Sequence, residues 1–434
     1  MDLYARFVKH VDRLPENDIC VALRGGVDSV VLLHLLKRYQ QQHYFSLSAL
    51  YVHHGLNPKA GQWQDFCQSI CQQWGIPFQA AKVNVQAKKL GIEAAARQAR
   101  YRVFAQHPAA IMALAHHQND QHETFLLAAL RGGGVRALAA MSSLHQQSIS
   151  GSLKTFWRPL LPFTRQEIED YAVSQQLSWV HDDSNDNSQD YLRNFLRQRT
   201  LPELTARVPH LAQQLNATIA ALQNDLSLLN ELAEHDYQNI TICHQWQQHL
   251  WQQLSLKRQH QQLAYFCKHH DLGTPTRASI ENFARILRQA KTAQWQLPNG
   301  LAVLYQNVLL PLPTGFQKDW FWLDKPLSGS LKEILTKLKQ THHKLPEKIL
   351  QQTVTMLSAQ KNDTLLSAHQ QHQSVYKILQ QNGVPALLRP LWAVLANQDN
   401  QVIAVFNLRV NQTHQAYAWL PEIAFLNRYR VQAA

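Results

Sequence analysis

The amino-acid sequence predicts an α/β protein with an N-terminal parallel sheet, a mostly helical middle domain and a small α/β C-terminal domain. Strand-like and helix-like runs alternate through the first half, Leu and Ala recur at helical spacing after about Pro209, and a short helix–strand–strand pattern follows Gln373. We expect domains over residues 1–210, 211–325 and 326–434, which suits a 434-residue chain that is 45% hydrophobic.

The N-terminal elements follow from a repeated order of short apolar runs and amphipathic runs. The first run is β-prone and leads through two glycines into a buried helix. Such alternation predicts a Rossmann-like parallel sheet with helices on both faces, in which ligands bind at the carboxyl ends of the strands. The predicted strands are 18–23, 47–53, 78–85 and 110–115, and the predicted helices are 30–39, 61–74, 91–105 and 120–130.

The second half shows longer helical patterns and fewer strands. Residues 211–236 have the spacing of one long helix, and residues 297–311 resemble strands around a Pro-Asn-Gly turn. We interpret residues 325–330 as a linker. The last part predicts a helix over 375–381 and strands over 393–395 and 402–406.

Charge and cysteine content limit the class of protein. The net charge of +12 favours a polyanionic partner such as nucleic acid, or a basic surface alone. Five cysteines suggest no disulfide framework and fit a reducing cytoplasm. Cys67 and Cys71 are interpreted as core residues. With no apolar leader and no run as long as a membrane span, we expect a soluble cytoplasmic protein that does not bind a membrane.

The strongest local motif is the loop between the first strand and the first buried helix, Arg24-Gly-Gly-Val-Asp-Ser29. Glycines allow the backbone to approach a phosphate, and the following helix offers free N–H groups. Ser29 adds a hydroxyl donor, and Asp28 is placed to hold a metal that bridges phosphates. The alternative is a simple helix cap.

A second motif follows the fourth predicted strand, at His116-His-Gln-Asn-Asp-Gln-His-Glu-Thr124. Asp120 and Glu123 are three residues apart and so share a helix face, with His116 close to Asp120 across the helix start. Two acids and an imidazole at a sheet edge suit Mg²⁺ and nucleotide binding. Helix capping by Asp120 with Glu123 is an equally good interpretation.

Arginine pairs form the third and fourth motifs. Arg97 and Arg100 are three residues apart on a predicted helix, where they match a phosphate or form a solvated charged face. Arg193 and Arg197 are four apart and follow the run 182–185, which is Asp-Asp-Ser-Asn. They can reach one anion, whereas the preceding run on its own is typical of helix capping.

Taken together, these motifs resemble the tRNA(Ile)-lysidine synthetase family of the PP-loop (N-type ATP pyrophosphatase) superfamily. The resemblance covers most of the chain and is weakest in the middle third. It runs through the loop at 24–29, then 53–56, 93–101, 116–124, 158–161 and 182–197, and in the last domain Lys377, 383–385 and Arg389.

The resemblance implies ATP-dependent adenylation of carbon 2 of the wobble cytidine in tRNA(Ile) with a CAU anticodon, followed by attack of the L-lysine ε-amine and release of AMP. It implies ATP and Mg²⁺ as cofactors, and a homodimer is possible. The implied ATP loop comprises Arg24, Gly25, Gly26, Val27, Asp28 and Ser29. The implied metal ligands are Asp28 and Asp120, and the implied catalytic residues are Asp28, Arg97, His116, Asp120, Glu123 and Arg193.

Two residues depart from the family pattern. Arg24 stands where the family has Ser, and it either blocks the phosphate site or points outwards and adds a favourable charge. Asn119 stands where the family usually has Asp, which removes one carboxylate. A catalytically disabled tRNA-binding protein is therefore the alternative function. Cytidine thiolation is disfavoured because no Cys-x-x-Cys pair is present, and a small-molecule amidotransferase would not need basic C-terminal domains.

Overall fold

The computed structural model describes residues 2–11, 17–55, 57–84, 92–149, 152–181, 192–320, 322–338, 347–366, 371–410, 420 and 422–431. The chain divides into two compact units, Met1–Leu228 and Leu229–Ala434. The boundary falls inside one long helix, so each unit is described separately.

The N-terminal unit contains, in its described part, one six-stranded sheet in the order β3-β2-β1-β4-β6-β5. All neighbouring pairs are parallel except β5 and β6, which form an antiparallel hairpin. Its strands are β1 (Asp18–Ala22), β2 (Ser46–His53), β3 (Phe78–Lys82), β4 (Ile111–Ala113), β5 (Leu144–Ile149) and β6 (Ser152–Trp157).

Helices precede, connect and follow these strands. They are α1 (Leu3–Val11), α2 (Val27–Gln40), α3 (Ala60–Gln73), α4 (Ile92–Gln106), α5 (Gln118–Leu130), α6 (Val135–Leu138), α7 (Arg165–Ser174), α8 (Leu192–Phe195), α9 (Leu201–Arg207) and α10 (Leu211–Asn239), with a π-helix at Leu196–Thr200. Helix α2 is buried along most of its length and packs with β1 and β2 in the main core. The predicted parallel sheet with helices between its strands is thus confirmed.

The β5–β6 hairpin is absent from the sequence prediction. The two strands mix polar and apolar side chains, with Gln146, Gln147 and Lys154 among the polar ones, so they lack a long apolar run. Lys154 is buried, and its ammonium donates to the carbonyls of His107 (2.6 Å) and Ala109. Tertiary contacts rather than local hydrophobicity therefore place this hairpin.

The C-terminal unit holds helices α11 (Gln248–Gln252), α12 (Leu256–His269), α13 (Arg277–Leu287), α14 (Leu331–Lys337), α15 (Glu347–Leu350) and α16 (Val375–Gln381). Its strands are β7 (Thr241–Ile242), β8 (Gln245–Gln247), β9 (Thr292–Leu297), β10 (Gly300–Tyr305), β11 (Val308–Pro313), β12 (Leu327–Ser330), β13 (Thr353–Ser358), β14 (Thr364–Leu366), β15 (His372–Ser374), β16 (Ala393–Ala396), β17 (Val402–Val405) and β18 (Arg409–Val410).

The described strands of this unit form antiparallel sheets in the orders β7-β8-β11-β10-β9 and β12-β13-β16-β17-β18, and β14 pairs with β15. The predicted Pro-Asn-Gly turn joins β9 and β10, and a second turn leads into β11. One apolar core lies around Trp251 and Phe266, and a second lies around Trp320 and Trp392 and also includes Val303 and Leu312 from the first five-stranded sheet.

The prediction of a linker over residues 325–330 is wrong. Residues Leu327–Ser330 form β12, which pairs with β13. Ser330 then caps α14: its hydroxyl accepts from the Glu333 backbone N–H at 3.3 Å, and Glu333 accepts from the Ser330 N–H at 3.1 Å. The Ser and Gly residues that suggested a flexible segment thus end a strand and start a helix.

Two further expectations concern cysteines and membranes. All five cysteines are free, and Cys67 and Cys71 are buried in the core as interpreted. In the described ranges, the helices are too short or too polar to cross a bilayer.

Gly25, at the end of β1, should tolerate no side chain. Its φ is +87°, and a Cβ atom would lie 2.6 Å from Val180 Cγ2. We expect Gly25→Ala to destabilise the protein by about 1–3 kcal/mol, because it combines backbone strain with a steric clash. Urea unfolding measures the effect.

Gly26→Ala is the matched control. Gly26 has φ −70°, and a Cβ atom there would have no neighbour within 4 Å. Its free energy of unfolding should change by less than about 0.5 kcal/mol. Equal losses of stability in the two variants would contradict this account of the loop.

Candidate active site

The loop from Arg24 to Ser29 joins β1 to α2 at the carboxyl edge of the sheet. The Gly25 carbonyl accepts from the Val180 N–H (2.9 Å), while the Ser29 hydroxyl donates to the Gly26 carbonyl (2.9 Å). Ser29 also accepts from the Arg24 N–H at 3.2 Å. Ser29 therefore closes the loop in this structure, and Gly26 at the N-cap of α2 leaves open space beside the first helical N–H groups.

Asp28 lies in the first turn of α2 and faces the end of β4. Its Oδ1 atom is buried without a hydrogen-bond partner in the described part of the chain, and His117 Nε2 lies 3.8 Å away. Burial raises the pKa of Asp28, an effect that the nearby His117 and Arg165 only partly oppose. An unpaired carboxylate oxygen at this place is suited to bind a cation.

Next to Asp28 lies a four-residue ion-pair group, here called the carboxylate–arginine cluster: Asp120, Glu123, Arg193 and Arg197. Glu123 is fully buried and accepts from Arg193 Nε (2.7 Å), Arg197 Nε (2.6 Å) and Arg197 Nη2 (3.0 Å). Asp120 Oδ1 accepts from Arg193 Nη2 (3.0 Å) and Arg197 Nη2 (3.3 Å). Both predicted pairs thus meet in one site.

Local structure explains why these four side chains converge. Asp120 and Glu123 lie three apart on α5, so their side chains share one face. Arg193 lies in the short helix α8 and Arg197 in the π-helix that follows it, and both face the same carboxylates. A single turn of π-helix such as this one is common at functional sites.

Asp120 also caps α5. Its Oδ2 accepts from the His117 backbone N–H at 3.1 Å, and His117 Nε2 lies 3.5 Å from the same oxygen. Burial alone would raise the pKa of Asp120, but His117, His116 and Arg193 outweigh burial and lower it. The N-cap residue of α5 is thus His117 with Asp120 as its capping-box partner, so the predicted capping by Asp120 with Glu123 is wrong.

His116 lies between β4 and α5, close enough to Asp120 for the charge of Asp120 to affect its pKa. Its Nδ1 atom is buried and has no hydrogen-bond partner among the described residues. Burial, with Arg158, Arg97 and Arg193, lowers the pKa of His116 to about 3 against the opposing effect of Asp120. The imidazole is consequently neutral at physiological pH.

The arginines of α4 lie nearby but in different environments. Arg97 is exposed and donates from Nη2 to the Tyr101 hydroxyl at 3.0 Å, with its guanidinium 4.7 Å from the Tyr101 ring centre. Arg100 is half-buried and contributes to the lowered pKa of His54, which falls to about 4 mainly through burial.

Some predicted features lie outside the described residues. These are the run 182–185 before the cluster arginines and the side chain of Glu93. The sequence also singled out His116 where the structure gives His117 the direct contact with both aspartates. The signal for His117 was its position immediately before α5, where an N-cap residue is expected.

The two departures from the family pattern have structural explanations. Arg24 is exposed, and its charge contributes to the lowered pKa of His54, which arises mainly from burial. Asn119 is exposed, and its Oδ1 accepts from the Arg165 N–H (3.0 Å) at the first residue of α7. Asn119 therefore accepts a hydrogen bond at the start of α7.

The two predicted Mg²⁺ ligands, Asp28 and Asp120, differ in how well they could bind the ion. Within the described ranges, no three His, Cys, Asp or Glu side chains are grouped so as to hold a metal ion. Asp28 offers a free oxygen, whereas both oxygens of Asp120 accept hydrogen bonds from protein groups. A site that uses few carboxylates together with substrate phosphates is typical for Mg²⁺.

Comparison with known proteins decides the family. The PP-loop domain family matches residues 2–204, and the TilS substrate C-terminal domain family matches residues 356–422. The tRNA(Ile)-lysidine synthase of Neisseria meningitidis serogroup B is 41% identical over 89% of this chain and 91% of its own length. The chain belongs to the tRNA(Ile)-lysidine synthase family.

Two further relatives also match over most of this chain and most of their own length. The tRNA(Ile)-lysidine synthase of Haemophilus ducreyi is 34% identical over 94% of this chain and 97% of its own length. That of Chromobacterium violaceum is 34% identical over 90% of this chain and 91% of its own length. The family membership predicted from the motifs is thus confirmed, and with it a ligase with a PP-loop ATP-binding domain.

The buried charge of Glu123 should be the most important one for stability in the cluster. Glu123→Gln leaves two guanidiniums against a fully buried neutral amide, and we expect a loss of about 3 kcal/mol in the free energy of unfolding. Urea unfolding measures it.

Glu169→Gln serves as the matched control, because Glu169 pairs with Arg165 on the exposed face of α7. Such an exposed pair contributes less than about 0.5 kcal/mol. If the two substitutions lower the free energy of unfolding by the same amount, the stability of the cluster does not depend on the buried charge of Glu123.

Proposed function

We propose that this protein uses ATP to join L-lysine to carbon 2 of the wobble cytidine in a tRNA(Ile) with a CAU anticodon. The family membership supports the reaction class. The observation that carries the proposal is the placement of the loop and the cluster on adjacent parallel strands, β1 and β4, with Asp28 and His117 3.8 Å apart between them. Nucleotide phosphates at the loop would therefore lie beside the cluster.

In the first proposed step, the carbonyl oxygen at carbon 2 of cytidine attacks the α-phosphorus of ATP. The bond to pyrophosphate breaks, and negative charge grows on the leaving group. The N-terminal end of α2 and the open backbone at Gly26 would stabilise that charge.

A magnesium ion would neutralise phosphate charge during this step, and Asp28 is the residue best suited to hold it. Asp120 would take part only if its arginine partners moved. In the arrangement observed, Asp120 instead orients Arg193 and Arg197 and fixes the start of α5.

In the second proposed step, the neutral lysine ε-amine attacks carbon 2, AMP leaves with the former carbonyl oxygen, and the proton that the amine loses passes to water. Neutral His116 can accept a hydrogen bond from the amine at Nδ1, which would orient the amine for attack. The low pKa of His116 makes it a poor final acceptor of the proton. We therefore assign His116 an orienting role.

The tRNA would be held largely by phosphate contacts. The net charge of +12 and the match of residues 356–422 to a TilS substrate C-terminal domain support this. Phosphate contacts make affinity fall as salt rises, because binding releases counterions.

Lysine transfer tests the proposal. The assay contains the protein, an unmodified tRNA(Ile) transcript with a CAU anticodon, ATP, Mg²⁺ and labelled lysine. We expect label in the RNA and one AMP released per lysine joined, because an exposed Arg24 side chain can point out of the loop. Arg24→Ser is run beside the natural chain.

A methionine tRNA with the same anticodon is the control substrate and should receive little label. Label from Arg24→Ser alone would support the alternative that Arg24 disables this chain. Absence of label from both proteins, while they still bind the tRNA, would contradict the proposal and favour a binding protein.

A further inference from the structure

One arginine close to the site has no assigned role. Arg158 follows β6 and is buried, with 6% of its surface exposed. Its Nη1 donates to the Ser142 carbonyl at 2.9 Å, and its guanidinium lies close enough to the Tyr101 side chain for the two groups to interact. Its Nε has no partner among the residues that the structure describes.

The Tyr101 side chain lies beside two cations. Its hydroxyl accepts a hydrogen bond from Arg97 Nη2 at 3.0 Å, and the guanidinium of Arg158 interacts with the same side chain. The Tyr101 ring is held in place by Phe104 and Phe156, whose ring centres lie 5.6 and 5.0 Å away. Two guanidiniums are therefore fixed side by side on one neutral group.

This arrangement is unusual because buried arginines normally pair with carboxylates. Arg158 and Arg97 repel each other, and both lie near His116, which is neutral. The contacts of Arg158 and Arg97 in the described structure are to a carbonyl and a phenol, with no acid among them. A bound anion would supply the missing negative charge.

We propose that Arg158 and Arg97, positioned by their shared contact with Tyr101, form a second phosphate-binding site beside the loop. The ligand is a phosphate group of one of the reactants: either a phosphate of the nucleotide or an RNA backbone phosphate next to the target cytidine. Tyr101 is a positioning residue. This inference rests on the proposed function for the identity of the two reactants.

The sheet order fixes where this site lies. Strand β4 lies between β1, which carries the loop, and β6, which leads to Arg158. Two strand spacings are about 10 Å. A phosphate bound by Arg158 would therefore lie two strands away from the loop, on the side of the loop where His116 follows β4.

The test compares affinities for two probes, ATP and a CAU anticodon stem-loop RNA, by titration calorimetry. We expect Arg158→Gln to weaken one of them at least tenfold and to reduce the salt slope of RNA binding by about one if the ligand is RNA. Arg97→Gln should act on the same probe. Tyr101→Phe should weaken that probe by less than Arg158→Gln, because both guanidiniums remain.

Arg102→Gln is the matched control, because Arg102 is an exposed arginine on the same helix as Arg97. It should change either affinity less than twofold. Without ligand, Arg158→Gln should melt at or above the natural protein's temperature, because it removes an uncompensated buried charge but keeps a donor. If Arg158 instead stabilised the fold, Arg158→Gln would lower the melting temperature.

Loss of ATP affinity alone assigns the phosphate to the nucleotide, and loss of RNA affinity alone assigns it to the RNA backbone. The inference is wrong if Arg158→Gln and Arg97→Gln bind both probes as Arg102→Gln does, or if Arg158→Gln melts several degrees lower. Lysine transfer by the natural protein is measured in parallel. If the natural protein transfers lysine but the variants bind both probes normally, only the inference about this site is wrong.

Discussion

The site depends above all on the buried carboxylate of Glu123. An ionised group with no exposed surface requires positive partners, and Arg193 and Arg197 supply them from the segment after residue 191. The same arginines reach Asp120, which caps α5 and contacts His117 at the end of β4. One electrostatic requirement thus joins a distant part of the chain to the sheet edge that carries Asp28.

Much of this arrangement could be predicted from the sequence, since it is encoded locally. The strand–loop–helix around Gly25 and Gly26 and the acid pair on α5 both follow from short-range patterns. The β5–β6 hairpin could not be predicted in this way, because its strands are polar and are held by contacts such as that of buried Lys154. The β12 strand was missed because its Ser and Gly residues resemble a linker.

Other features needed the three-dimensional structure. Spacing showed that Arg193 and Arg197 could act together, but their partners, Asp120 and Glu123, lie about 70 residues earlier. The choice between His116 and His117 likewise depends on helix geometry rather than on residue type. Arg158 belonged to a recognisable motif, yet its lack of an acidic partner is visible only in its surroundings.

The central claim is that the cytidine carbonyl oxygen becomes the leaving group by way of an adenylate. A tRNA(Ile) carrying heavy oxygen at carbon 2 of the wobble cytidine tests this claim directly when it reacts with ATP and lysine. Mass spectrometry of the products should find the heavy oxygen in AMP and none in the modified base or in pyrophosphate. Heavy oxygen that remains in the lysine-bearing RNA, or that appears in pyrophosphate, would contradict the account.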